Sequence, residues 1–261
     1  MIKMSKERIM PVIFVGHGAP TNAIGENMYI PEWKKVGEYL GKPNVIIAVS
    51  AHWYCEKLCV RPSKRNKQIH DMYGFPDELY QVKYEPKGSP RHAEKVLELL
   101  DIAEENNDGG IDHGVWSVLS NMYPEADVPV VVVSVNGNLT PVEQFEIGRK
   151  LEPLRHEGAL VLGSGNIVHN LGMVDWRMNG GYKWAYAFDN DVKNAVLNGD
   201  FERFVNFKNI KFNEIAIPAP DHFYPFLNVL GAASKEDNVK IFNDVCELGS
   251  ISMTSYIFED I

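Results

Sequence analysis

The sequence predicts an α/β fold: a single domain with a central mixed β-sheet, flanked by helices on both faces and ending in a C-terminal antiparallel hairpin. Three observations carry this. Four short runs, Val12–Val15, Val45–Ser50, Val128–Val135 and Ala159–Leu162, are β-branched and almost wholly apolar, as central strands covered on both faces are. Helical patterns alternate with them, which implies a sheet between helical layers. Near the end, "VKIFNDVCELGSISMTSYIFE" reads as two strands around Glu247–Ser250, an antiparallel pair at or near a sheet edge.

The elements follow in order. Val12–Val15 runs into Gly16-His17-Gly18, and Val45–Ser50 runs into "SAHW". Ser89-Pro90 opens a helix with apolar Val96, Leu97, Leu99 and Leu100. Thr140-Pro141 opens another, and Glu143 three residues on makes a capping box with proline at the first helical position. Ala159–Leu162 leads into Gly163-Ser164-Gly165, which reads as a tight turn. Lys183 to Leu197 is a third helix and Asp221 to Leu230 a fourth. No repeat, low-complexity tract or flexible linker interrupts the chain. Residues 1–261 therefore read as one domain, with its core at about 11–259.

Of the 261 residues, 45% are hydrophobic and 23% charged, an ordinary globular composition long enough for a sizeable core. The net charge of -9, without clustered cations, disfavours nucleic acid as a partner. Three cysteines, Cys55, Cys59 and Cys246, are too few and too odd for a disulfide scaffold. They read as small buried hydrophobes in a reducing compartment. The opening "MIKMSKERIM" has no apolar core of a secretory signal. No apolar run approaches the ~20 residues of a membrane span. The expected location is the cytoplasm. Oligomeric state is unreadable.

Of eight histidines, His17, His52 and His169 each follow a core strand. Ligands of open α/β sheets bind outside the carboxyl ends of strands, so these three can converge in one crevice. Gly16 and Gly18 would let the backbone turn and leave space beside the imidazole. A histidine taken alone is most simply a hydrogen-bonded structural residue. Three at equivalent positions bring a metal site to equal standing. His113 precedes a short helix, and His222 stands at a helix start. His92 and His156 read as surface residues. No H-E-x-x-H is present, "GSG" is not G-x-S-x-G, and neither "GHG" nor "GSG" is long enough to cradle a phosphate.

Six stretches in order, "GHGAP", "SAHW", "HDMYGFPDELYQVKYEPKGSP", "DHGVW…MYPEADVPVV", "GSGNIVHNL" and "DHFYPF", resemble the class III extradiol ring-cleavage dioxygenases, in the DOPA 4,5-dioxygenase branch. The resemblance runs from about Val12 to Phe258. It implies one Fe(II), with Zn(II) as a second metal that members carry. The metal ligands it implies are His17, His52 and His222. It also implies His169 as the catalytic acid/base or a fourth ligand, and His113 as a catalytic histidine behind the ligands or facing substrate. The implied reaction opens the ring of a catechol such as DOPA with O2, outside the two hydroxyls. Many non-haem iron sites use two histidines and a carboxylate. The resemblance implies that His222 takes the carboxylate's place here; Asp221 next door is the alternative, its side chain expected to point elsewhere if it caps the helix.

The stretch "IHDMYGFPDELY" is expected as a loop over the site, since Gly74 and Pro76 break regular structure. His70, Asp71 and Tyr73 there are substrate-binding candidates, against a solvated loop with one buried aromatic. Trp53 and Trp116 read as core or pocket wall. Arg177 is a candidate partner for a substrate carboxylate, against a plain surface arginine. Two rival readings use the same residues: a zinc hydrolase or lyase with a metal-activated water, and a non-catalytic binding relative of the fold.

Overall fold

The computed structural model describes residues 9–260. The reading of the N-terminal stretch as no secretory signal falls largely on residues 1–8, outside the described residues. The strands are β1 (Val12–Gly16), β2 (Val45–Cys55), β3 (Cys59–Val60), β4 (Glu104–Glu105), β5 (Val130–Asn136), β6 (Ala159–Gly165), β7 (Asn238–Phe242), β8 (Cys246–Glu247), β9 (Ile251–Ser252) and β10 (Ser255–Glu259). The helices are α1 (Tyr29–Leu40), α2 (Asp77–Tyr80), α3 (Pro90–Leu99), α4 (His113–Met122), α5 (Pro141–Leu151), α6 (Lys183–Leu197), α7 (Glu202–Val205), α8 (Asn213–Ala216) and α9 (Tyr224–Ala232).

Eight strands form one sheet in the order β4-β3-β5-β2-β6-β1-β10-β7. Its centre, β5-β2-β6-β1, is parallel, while β10 and β7 add an antiparallel edge. The C-terminal antiparallel pair is thus β7 with β10, and the short hairpin β8-β9 is nested between them. Because strand side chains alternate faces, Val12, Phe14, Ile47, Val133 and Val161 face one core with helices α3, α5, α6 and α9. Ile13, Val15, Ile46, Val132 and Leu162 face a second core with α1 and α4. This is the doubly covered mixed sheet that the near-continuous apolar runs implied.

Local departures each have a physical reason. β2 continues past Ser50 to Cys55, because its register against β5 slips between Val49 and Tyr54. His52 therefore sits on an irregular stretch of strand, a device common beside active sites. Gly163-Ser164-Gly165 is not a turn but the end of β6, where side chains on both glycines would strike the backbone of Pro225 and His222. The helix expected from Asp221 begins at Tyr224, with Phe223 at its cap position, so Asp221 does not cap it. Helix α1 carries Pro31 and Gly37, poor helix formers, and is helical because Tyr29, Trp33, Val36 and Leu40 bury one face. The capping box at Thr140 forms as expected. The cysteines are free, two of them buried. No helix among the described residues is long and apolar enough to cross a membrane.

Candidate metal centre

Five histidines meet at the carboxyl rim of β1, β2 and β6. His17 continues β1, and its backbone N–H donates to the Gly165 carbonyl at 3.2 Å. Asn166 N–H, one residue past β6, donates to the His222 carbonyl at 3.0 Å. The end of β6 therefore anchors two of the imidazole-bearing segments, and Gly165 lets the His222 backbone approach that closely. Gly16 stays in the strand, where a Cβ would strike the Met253 backbone, and Gly18 takes φ +62, the left-handed turn that frees His17 to face inward. His113 opens α4, and His169 is held by its N–H donating to the Ala216 carbonyl at 2.9 Å.

The ring centroids of His17 lie 5.0 Å from His52, 5.3 Å from His222 and 5.5 Å from His113. His52 is 3.8 Å from His113, and His169 stacks on His222 at 3.4 Å and 9°. All five line a cavity of about 550 Å³. Ligand atoms of His17, His52 and His222 come close enough to share one ion.

The hydrogen bonds around the rings decide which nitrogens carry protons. Ser164 Oγ donates its only proton to the Gly114 carbonyl at 2.5 Å, so in its 2.9 Å contact with His17 Nδ1 it must accept. Neutral His17 therefore carries its proton on Nδ1 and a lone pair on Nε2. Asp71 accepts from His113 Nδ1 at 2.8 Å and from the His113 backbone N–H at 2.9 Å, and its carboxylate is 3.3 Å from His52 Nδ1. A carboxylate has no proton to give, so His52 too is left with its lone pair on Nε2. Those two lone pairs face each other, with Nε2 to Nε2 at 3.1 Å.

Burial, reinforced by the neighbouring imidazoles, holds His17 and His222 well below the ordinary histidine value. Burial and His113 lower His52 despite the opposing pull of Asp71. Burial lowers His169 while Asp221 opposes it. No second proton is then available at neutral pH to bridge His17 and His52. A cation between them resolves the contact, and metal–nitrogen bonds of about 2.0–2.1 Å put two ligand nitrogens roughly 3 Å apart. His222 adds a third donor. Both its ring nitrogens are buried without a hydrogen-bond partner, although Nδ1 lies 3.1 Å from an Asp221 oxygen. The residues fit a divalent metal.

Burial alone would raise the Asp71 carboxyl, but hydrogen bonding and charge from His113, with His52, take it below its usual value. Asp71 thus stays ionised and orients two rings, as outer partners of metal-bound histidines do. Behind it, burial and the charge of Asp71 push Asp112 up to about 6, and Ser50 donates to it at 2.7 Å. The sequence presents Ser164 only as part of a tight turn and gives no sign of the roles of Asp112 and Ser50. Their partners lie 50 to 147 residues away along the chain, where local pattern is silent.

The loop at 69–76 lies over the cavity, which Asp71, Met72, Tyr73 and Phe75 line. Tyr73 is 92% exposed at the mouth. His70 is exposed, packs near Tyr80 and Trp116, and is outside the lining residues. Trp116 is core, and Trp53 packs against the same core. Arg177 is exposed and outside the lining. His92 bonds to Ser89, and His156 pairs with Glu152 on the surface.

Residues 23–259 match the family described as the catalytic LigB subunit of aromatic ring-opening dioxygenase. A protein of Escherichia coli (strain K12) named 4,5-DOPA dioxygenase extradiol is 40% identical, across 97% of this chain and 96% of its own. One of the same name from Beta vulgaris is 34% identical, across 97% and 98%. The crystal structure of an uncharacterized Escherichia coli K12 protein superposes with a TM-score of 0.83 at 35% identity, over 95% of this chain and 99% of that one.

Proposed function

From the premise that the chain belongs to the LigB family of extradiol ring-opening dioxygenases, we propose that it opens the ring of a catechol such as DOPA with O2, using Fe(II) held by His17, His52 and His222. The observation that carries this reading is the facing pair of unprotonated nitrogens, 3.1 Å apart, beside the unpartnered His222 ring. A bound Fe(II) would acidify the catechol hydroxyls and carry electrons between ring and O2, whereas zinc supports only the first.

The chain's own residues handle protons and position. His169, kept neutral by burial, accepts a catechol proton as general base and returns it to the opening ring. Its stacking on His222 keeps it beside the ligand set, and its ring lies with Asp221 and His222 within reach of one ion, so a fourth-ligand role stays the alternative to the acid/base role. Asp71 accepts from His113 Nδ1, which fixes the ring with Nε2 as the nitrogen left to meet bound substrate. Tyr73 and the loop that carries it would cover the ring, with His70 supporting that loop from outside.

The test is oxygen uptake and absorbance of Fe(II)-loaded protein with a panel of catechols. A coloured, ring-opened product is expected, and protein that holds Fe(II) but consumes no oxygen with any catechol rejects the reading. The His169→Ala variant should keep its metal and lose most turnover. Alanine at His17, His52 or His222 should each lower bound metal by elemental analysis. A zinc hydrolase would use the same three histidines, and metal-dependent oxygen consumption separates the two.

A further inference from the structure

The cavity mouth has a charge character that ring opening alone does not require. Its rim carries Tyr73, Leu171 and Trp176, which are 92%, 68% and 68% exposed. Its charged lining is acidic: Asp71, and Asp221, whose side chain is 31% exposed. Among the described residues, no lysine or arginine lines it. Arg177, beside Trp176 in sequence, is exposed but outside the lining.

A catechol held by its two hydroxyls at the histidine cluster directs its ring substituent away from them, toward this rim. There the substituent meets the Asp221 carboxylate and the exposed aromatic side chains of Tyr73 and Trp176, whereas Asp71 is turned to His113 and His52. An ammonium group is attracted by both, through opposite charge and through the ring quadrupoles. A carboxylate group meets like charge without a lining cation. The net charge of -9 attracts cationic substrates in the same sense.

We infer that the site recognises its substrate's side chain through an ammonium group, and that catechols with an arylethylamine chain are preferred over those with an arylpropionate chain, with DOPA, which carries both charges, between them. This rests on the ring-cleavage reading above.

The experiment uses Fe(II)-loaded protein with dopamine, DOPA and 3,4-dihydroxyphenylpropionate. Anaerobic dissociation constants come from tryptophan fluorescence, and kcat/KM comes from oxygen uptake. Dopamine should bind at least tenfold more tightly than the propionate and show a kcat/KM at least tenfold higher, with DOPA intermediate. The Asp221→Asn variant, with metal content verified, should shrink the binding ratio to within about threefold, and Leu171→Arg at the exposed rim should shift it toward the propionate. Equal or tighter binding of the propionate by the wild-type protein overturns the inference, whether or not turnover occurs. If no catechol consumes oxygen, the ring-cleavage reading fails instead, and the anaerobic constants still decide the charge preference.

Discussion

Replacing Ser164 by alanine should loosen the metal without touching a ligand. The Ser164 hydroxyl makes His17 carry its proton on Nδ1 and so presents Nε2 as a lone pair. Without it the ring can adopt the other tautomer or rotate. Loss of such an outer partner typically costs about 10–100-fold in metal affinity. Competition with a chelator would measure it, and an unchanged affinity would refute the tautomer assignment. Asp71→Asn should act similarly through His52 and His113, because an amide presents only one acceptor oxygen where the carboxylate presents two. Residue chemistry was partly legible in the sequence. Topology alone allowed His17, His52 and His169 to converge, because each follows an apolar core run, although His52 falls inside the lengthened β2. The ligand role proposed for His222 came from motif resemblance, since nothing local distinguishes it from a helix-start histidine. The outer partners could not be read, because a serine or aspartate acquires its role only from whichever imidazole the fold brings beside it.

Among the elements, the contact between β6 and the segment leading into α9 sets the position of His222, and Gly165→Ala tests it. The added methyl would strike the His222 carbonyl, which is hydrogen-bonded to Asn166 and cannot retreat freely. Overpacking of this kind costs about 1–3 kcal/mol, and the displaced His222 should lower metal affinity in the same variant. Thr140→Ala provides the contrast. It removes the capping box of α5, at a cost of about 1 kcal/mol, far from the histidines and with no expected change in metal binding. Thermal melts with metal titrations would separate the two, and equal effects on affinity would contradict the assigned role of Gly165. Elements with strong local signals were legible: Lys183–Leu197 is helical at the predicted bounds, and Thr140-Pro141 caps as read. Those shaped by neighbours were not. The β2 irregularity depends on its pairing with β5, and α1 depends on burial of a face that its own propensities do not favour.

The whole molecule buries a cluster of imidazoles at one end of its sheet, and the acid stability of the metal-free protein should show it. His17, His52, His169 and His222 all have folded-state pKa values below the ordinary histidine value, chiefly through desolvation. Above pH ~6.5 these rings are neutral in both folded and unfolded chains and make no difference between them. As pH falls below ~6.5, the unfolded chain takes up protons that the folded chain refuses, so stability declines, by up to about 1.4 kcal/mol per pH unit for each histidine. Two buried carboxyls act in the opposite direction. Burial raises Asp112, to about 6, and Asp189, so the folded state holds their protons where the unfolded state has lost them. His92, also lowered by burial, adds to the four, and five histidines against two carboxyls leave a net loss toward acid. The Tm of metal-free protein should therefore be steady from pH 8 to 7 and fall between pH 6.5 and 5. Bound metal at 100 times its dissociation constant should add about 2.7 kcal/mol at pH 7, and that increment should shrink in the same acid range as protons compete for the ligand nitrogens. Melts across pH, with and without Zn(II), measure both effects. A Tm that stays level or rises toward pH 5 without metal would mean that the imidazoles are not held neutral by the fold, and the facing lone pairs of His17 and His52 would no longer require a cation between them.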